Sequence, residues 1–261
     1  MSNQLFSLTT AMLVGASASY LGSLVISRKM ALVGDALGHV ALPGMGIALL
    51  LNLDPSLGAF VFLAVAVFLV WKLGELTSFS TEIPVGIIFV ASLAAGFLIV
   101  PEHELLESLI GDIGSVSGTA AVITGACALA VFGIVRRIYP VMTLISISPD
   151  MAQVEGFSVR KYHFIYLATI AVIVSLGVRV TGSLLVGALL IVPPATARML
   201  SRNLKQYSTW SVFLGGMSGG LGILVSWVTG WPAGPAIILV SSFTFASVLG
   251  YRAVCSNPLG A

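Results

Sequence analysis

Nine apolar runs, each close to the length needed to cross a lipid bilayer, take up most of the sequence. They lie near residues 5–26, 31–52, 56–73, 83–100, 117–136, 163–178, 181–194, 208–229 and 233–252, and a membrane-spanning helix needs about 20 such residues. A soluble domain carries about 25% charged residues, whereas here 8% of 261 residues are charged and 57% are hydrophobic. The solvent for most of the chain is therefore expected to be lipid. The fold expected is all-α: a polytopic integral membrane protein in a single domain over residues 1–261. The seventh run is short and leads into a double proline. If it merged with the sixth, the count would be eight.

The positive charges test that count. With nine spans and the N-terminus outside, eleven of the twelve basic residues fall on the inner side, and only Arg179 falls outside. That is the bias of the positive-inside rule. Merging runs six and seven would move the later basic loops across and destroy it, so nine is the preferred reading, with the C-terminus inside. Residues 1–26 hold no Lys or Arg, so the first run lacks the basic start of a signal peptide and reads as a retained span. The segment 101–115 carries Glu102, Glu104, Glu107 and Asp112 without a basic residue. It would give the outer side a negative mouth, or it is simply a wet loop face. The net charge of +2 has no basic stripe behind it, so no nucleic-acid partner is expected. Cys127 and Cys255 are far apart and read as packing residues.

Within the second run, VGDALGHVALPG (33–44) places Asp35 and His39 four positions apart. On a helix those positions share one face. His39 lies ten residues beyond Lys29, about 15 Å of helix, and so sits near the middle of a hydrocarbon core about 30 Å thick. Ionisable groups at that depth normally face a pathway or a partner. A carboxylate and an imidazole on one face suit a borderline divalent cation. Pro43 frees a carbonyl near His39, and LPGMG (42–46) is expected to break the helix. The competing reading has Asp35 capping a helix that starts at Ala36. His103 and His163 read as wet or interfacial.

The second unusual stretch is LLVGALLIVPPATARMLSRNLKQ, 184–206. Pro193 and Pro194 are expected to end one helix and to start a short basic one at the inner surface, either an anchor or a dock for a soluble partner. Glycines spaced by four, Gly34 with Gly38, Gly215 with Gly219 and Gly216 with Gly220, favour close helix packing in lipid. No H-E-x-x-H, G-x-S-x-G or phosphate-loop motif is present, so no enzyme activity and no ATP hydrolysis are expected of this chain.

SRKMALVGDALGHVALPG (27–44), EIPVGIIFVASLAAGFLI (82–99), LIGDIGSVS (109–117), SISPDMAQVEG (146–156), VTGSLLVGALLIVPPATARML (180–200) and PAGPAIIL (232–239) together carry a resemblance. The chain resembles the membrane permease subunit of the zinc/manganese/iron family of ATP-binding-cassette importers, with a type II importer-like permease fold. Pro194 stands where the family often has Ala, and Gly38 where it commonly has Ser. The resemblance implies a homodimer of permeases in the plasma membrane, two cytoplasmic ATP-binding subunits that carry the ATP, and an extracytoplasmic metal-binding solute protein. It implies a divalent metal as substrate, with no cofactor bound by this chain. It places Asp35 and His39 on the metal path and an ATPase-coupling helix near 194–205. The rivals are a carrier driven by an ion gradient, which would usually show more intramembrane acids, and an intramembrane metalloenzyme, which would need a third ligand and a base. Chelated rather than free metal would need a roomier path.

Overall fold

Long apolar segments with little internal charge have one good solution in lipid, which is to satisfy every backbone group within a helix. The structure is a computed structural model that describes residues 2–77, 80–100, 118–181 and 183–255. Among the described residues there are ten helices and no strand: α1 (Ser2–Ser27), α2 (Ala31–Leu50), α3 (Pro55–Leu76), α4 (Glu82–Ile99), α5 (Gly118–Ile147), α6 (Pro149–Val154), α7 (Val159–Thr181), α8 (Ser183–Leu200), α9 (Leu204–Thr229) and α10 (Ala233–Cys255). Eight are long and apolar enough to cross a membrane, and α8 holds a shorter apolar stretch, Val186–Leu200. The sixth and seventh runs do not merge. Gly177 on α7 packs against the Val186 side chain on α8. A continuous helix would hold residues nine apart about 13 Å apart, so the chain has turned back on itself between them. The outer segment with Glu102, Glu104, Glu107 and Asp112, and the 109–117 stretch, lie outside the described residues.

Local chemistry sets several ends. Asp54 accepts a hydrogen bond from the Ser56 N–H at 2.8 Å ahead of Pro55, and Ser148 accepts one from the Met151 N–H at 3.2 Å ahead of Pro149. Side-chain caps followed by proline are strong helix starts. Asn203 starts α9 by accepting from the Gln206 N–H at 2.8 Å, while the Gln206 side chain accepts from the Arg202 N–H at 3.1 Å. Gly230 ends α9 with φ +73°, a left-handed conformation that suits glycine.

The central helices are α1 and α2, whose spans are 72% and 67% buried, against 22% for α4 and α10 at the periphery. Small residues let neighbours approach backbone to backbone. A side chain at Gly15 would strike the Gly215 carbonyl of α9 and one at Gly215 would strike the Gly15 carbonyl, while Gly219 sits on the Ala11 carbonyl. Ser19 donates across the same seam to the Ser211 carbonyl at 2.6 Å. The α1–α9 seam accounts for the spacing of Gly215 with Gly219, and Gly44 and Gly58 make a similar contact between α2 and α3.

Three expectations are corrected. First, α2 runs unbroken through LPGMG, with Pro43 buried inside it. Because α2 begins at Ala31, Asp35 lies in its second turn and caps nothing. Second, Pro193 and Pro194 lie buried inside α8, which continues to Leu200, so residues 194–205 form no separate surface helix: α8 ends, the chain unwinds at 201–203, and α9 begins. A proline costs a helix the bond to the carbonyl four residues back. The Leu190 carbonyl that Pro194 releases is packed against Gly22 of α1, which keeps it out of the hydrocarbon. Third, α5 does not stop at Arg136 but runs eleven residues further, through Pro140 to Ile147.

Candidate metal pathway

Asp35 and His39 are the fifth and ninth residues of α2. At 1.5 Å per residue, His39 is about 12 Å from the start of a helix about 30 Å long, one turn beyond Asp35. Both are half-buried, in the helix that with α1 forms the centre of the bundle. The side chains meet different neighbours. The His39 ring tilts at 49° against Phe89 of α4, centroids 5.8 Å apart, and one turn on, Pro43 packs on Gly96 of the same helix.

Asp35 is backed by α8. A methyl group at Gly187 would lie 2.5 Å from Asp35 Oδ1, 2.9 Å from its Cα and 3.1 Å from its Cβ. Gly187 is therefore what lets α8 lie flush against the Asp35 backbone, and one turn further Leu190 packs on Gly34. The sequence gives no separate signal for Gly187, because small residues are common throughout spans.

The chemistry available is one oxygen and one nitrogen donor on a single helix face, with the His39 carbonyl beside them, released by Pro43. Among the described residues no three of His, Cys, Asp and Glu come together as a metal cluster. Two side chains fall short of the four ligands of a structural zinc site.

At the basic end of the bundle the connection between α1 and α2 is tight, with Lys29 at φ +59°. Arg28 turns inward there. Its guanidinium lies 5.4 Å from the centre of the buried Tyr166 ring, and Nη1 donates to Met142 Sδ at 3.8 Å. Burial pulls the Arg28 pKa below the ordinary arginine value, with Tyr166 opposing the shift. His163 is a neighbour of this cluster, 3.3 Å from Thr81 Oγ1 and 6.5 Å from the Tyr166 ring centre.

Residues 3–251 match the family described as the ABC 3 transport family. The high-affinity zinc uptake system membrane protein ZnuB of Haemophilus influenzae is 31% identical over 238 residues, covering 89% of this chain and 91% of that protein. The manganese transport system membrane protein MntC of Listeria innocua is 27% identical over 242 residues, covering 91% and 86%. Among solved structures, PsaBC from Streptococcus pneumoniae in complex with Fab superposes with a TM-score of 0.80 at 27% identity, covering 93% of this chain and 89% of that one.

Proposed function

Since the chain belongs to the ABC 3 transport family, we propose that it forms the path of an ATP-driven importer for zinc, manganese or iron, assembled as a homodimer with two ATP-binding subunits. The chain is a multi-pass membrane permease and a transport subunit, and its relatives are permeases of zinc and manganese systems. The observation that carries the finer reading is the seating of Asp35 and His39 one turn apart in the first half of a central helix, Asp35 against α8 and His39 against α4. In the importer, a solute-binding protein delivers the ion from outside. The ion rests on Asp35 and His39, and a second copy of the chain brings a second pair. ATP binding and hydrolysis in the partner subunits then favour the inward-open state over the outward-open one, which requires that the ion bind the two states unequally.

Coupling to the ATPases belongs at the basic end. Residues 194–205 supply the last turns of α8, where Arg198 is exposed, and the exposed turn beyond it. The short helix α6 at the same end presents Ile147 just before it, Met151 and Val154, which are 77%, 58% and 88% exposed. An exposed apolar patch on a short capped helix fits a protein contact, and both elements are assigned to the ATPase interface. A gradient-driven carrier is disfavoured because, among the acids in the described spans, Asp35 alone lies outside a first or last helical turn.

The test is metal uptake by Asp35→Asn and His39→Ala in the assembled complex. Both variants should assemble and bind ATP yet lose uptake. Wild-type uptake by either removes that residue from the path, and uptake driven by a proton gradient without the ATPase overturns the importer reading.

A further inference from the structure

Two adjoining cavities open where the end of α3 meets the start of α7, remote in sequence from the Asp35 and His39 pair. The larger, about 810 Å³, takes polar side chains from Lys72, Thr81, Gln153 and His163. The smaller, about 330 Å³, is walled by Phe68 and Phe164, with Lys161. Trp71, Ser158 and Arg160 line both. The order along the helices matters. Phe68 precedes Lys72 by four residues on α3 and Phe164 follows Arg160 by four on α7, so each phenylalanine lies about 6 Å deeper toward the membrane centre than its cationic neighbour. Both stay open, Phe68 52% and Phe164 38% exposed.

Taken together, the two compartments have surplus positive charge. Lys72, Arg160 and Lys161 line the pair of cavities against one carboxylate, Glu75, which bridges Lys72 and Arg160. Glu82 and Glu155 are near in sequence but line neither cavity. Arg160 is held over the Trp71 ring, 4.9 Å from its centre. The Trp71 Nε1 is buried and donates to no protein group, a cost unless a partner is supplied.

We propose that this double cavity binds an anionic phospholipid of the inner leaflet, its phosphate among Lys72, Arg160 and the Trp71 N–H and its acyl chain along Phe68 and Phe164. A free anion would have no use for the aromatic groove. A soluble partner would leave the membrane-side phenylalanines uncovered. An amphiphile fills both compartments in the order the helices present them, and basic residues with a tryptophan at the membrane boundary suit an anionic headgroup.

The experiment is native mass spectrometry of the purified permease–ATPase complex with added phosphatidylglycerol or phosphatidylcholine, for the wild type, for Lys72→Gln with Arg160→Gln, for Trp71→Phe, and for Arg252→Gln as a remote basic control. The expected result is retention of phosphatidylglycerol in preference to phosphatidylcholine. The double variant should weaken it about 30-fold, the loss carried by two basic residues at an anionic surface. Trp71→Phe should weaken it with the fold intact, and Arg252→Gln should leave it unchanged. Equal retention by wild type and double variant overturns the proposal. So does equal competition by inorganic phosphate, which would make this a free-anion site, or loss of the ATPase subunit instead of lipid, which would make it a subunit interface.

Discussion

Replacing Gly187 with alanine tests the seating of Asp35 directly. The new methyl carbon would stand 2.5 Å from Asp35 Oδ1, 2.9 Å from its Cα and 3.1 Å from its Cβ. Rotating the Asp35 side chain removes the first conflict but not the second, because Cα is part of the α2 backbone. Carbon atoms rest about 3.5–4.0 Å apart, so α2 and α8 must separate by roughly 0.6–1.1 Å at this level. Overpacking of this kind costs about 1–3 kcal/mol, which leaves most of a folded population intact. The effect on the ion is larger in proportion, since metal–ligand distances tolerate only about 0.2 Å. Uptake of radioactive zinc or manganese into vesicles carrying the complete complex should fall about tenfold or more, with thermal stability measured alongside. Two variants separate packing from transport. Gly133→Ala adds its methyl group to open space on α5, and Gly22→Ala strains α8 at the Leu190 carbonyl without touching Asp35. Gly133→Ala should be silent in both assays. At matched stability loss, Gly187→Ala should cost more uptake than Gly22→Ala. Equal uptake by those two, or wild-type uptake by Gly187→Ala, refutes the argument that α8 sets the position of Asp35.

Two further outcomes concern the basic end. Ser148→Ala removes the cap of α6 and should loosen that helix by about 0.5–2 kcal/mol, seen as faster hydrogen exchange over 149–154; ATP hydrolysis should lose its dependence on transport, as it should in Arg198→Glu, and unchanged coupling in both places the ATPase contact elsewhere. Glu75→Gln breaks the pair with Arg160, whose side chain is 64% exposed, and should cost less than about 1 kcal/mol by thermal denaturation; a larger loss would mean that the pair is buried in the assembled complex.

The spans were legible because their signal is length and apolarity, which lipid imposes on every crossing segment. That Asp35 and His39 stand one turn apart on a single helix was legible from their spacing of four. The prolines were misread for a physical reason. Pro43, Pro193 and Pro194 each remove a backbone bond, and sequence alone cannot show what takes its place. For Pro194 it is Gly22, more than 170 positions earlier, whose missing side chain lets α1 cover the released Leu190 carbonyl. Gly187 was invisible for the same reason, since its partner is Asp35 on another helix. The amphiphile cavity needed the ends of α3 and α7 side by side, a juxtaposition no spacing rule reports.

The seam between α1 and α9 has a consequence for the time at which the protein is made. Gly15 meets Gly215 and Ser19 bonds to the Ser211 carbonyl, so α1 closes against a helix synthesised about 200 residues later. At about 5–20 residues per second, α1 waits roughly 10–40 seconds for its partner. During that wait its small-residue face is turned to lipid or to the insertion machinery, and its span has a mean hydropathy of only 1.4, against 2.2 for α3. The α1–α9 seam therefore cannot close until α9 has been made. Truncated chains that stop before α9 should be the ones that quality-control proteases remove.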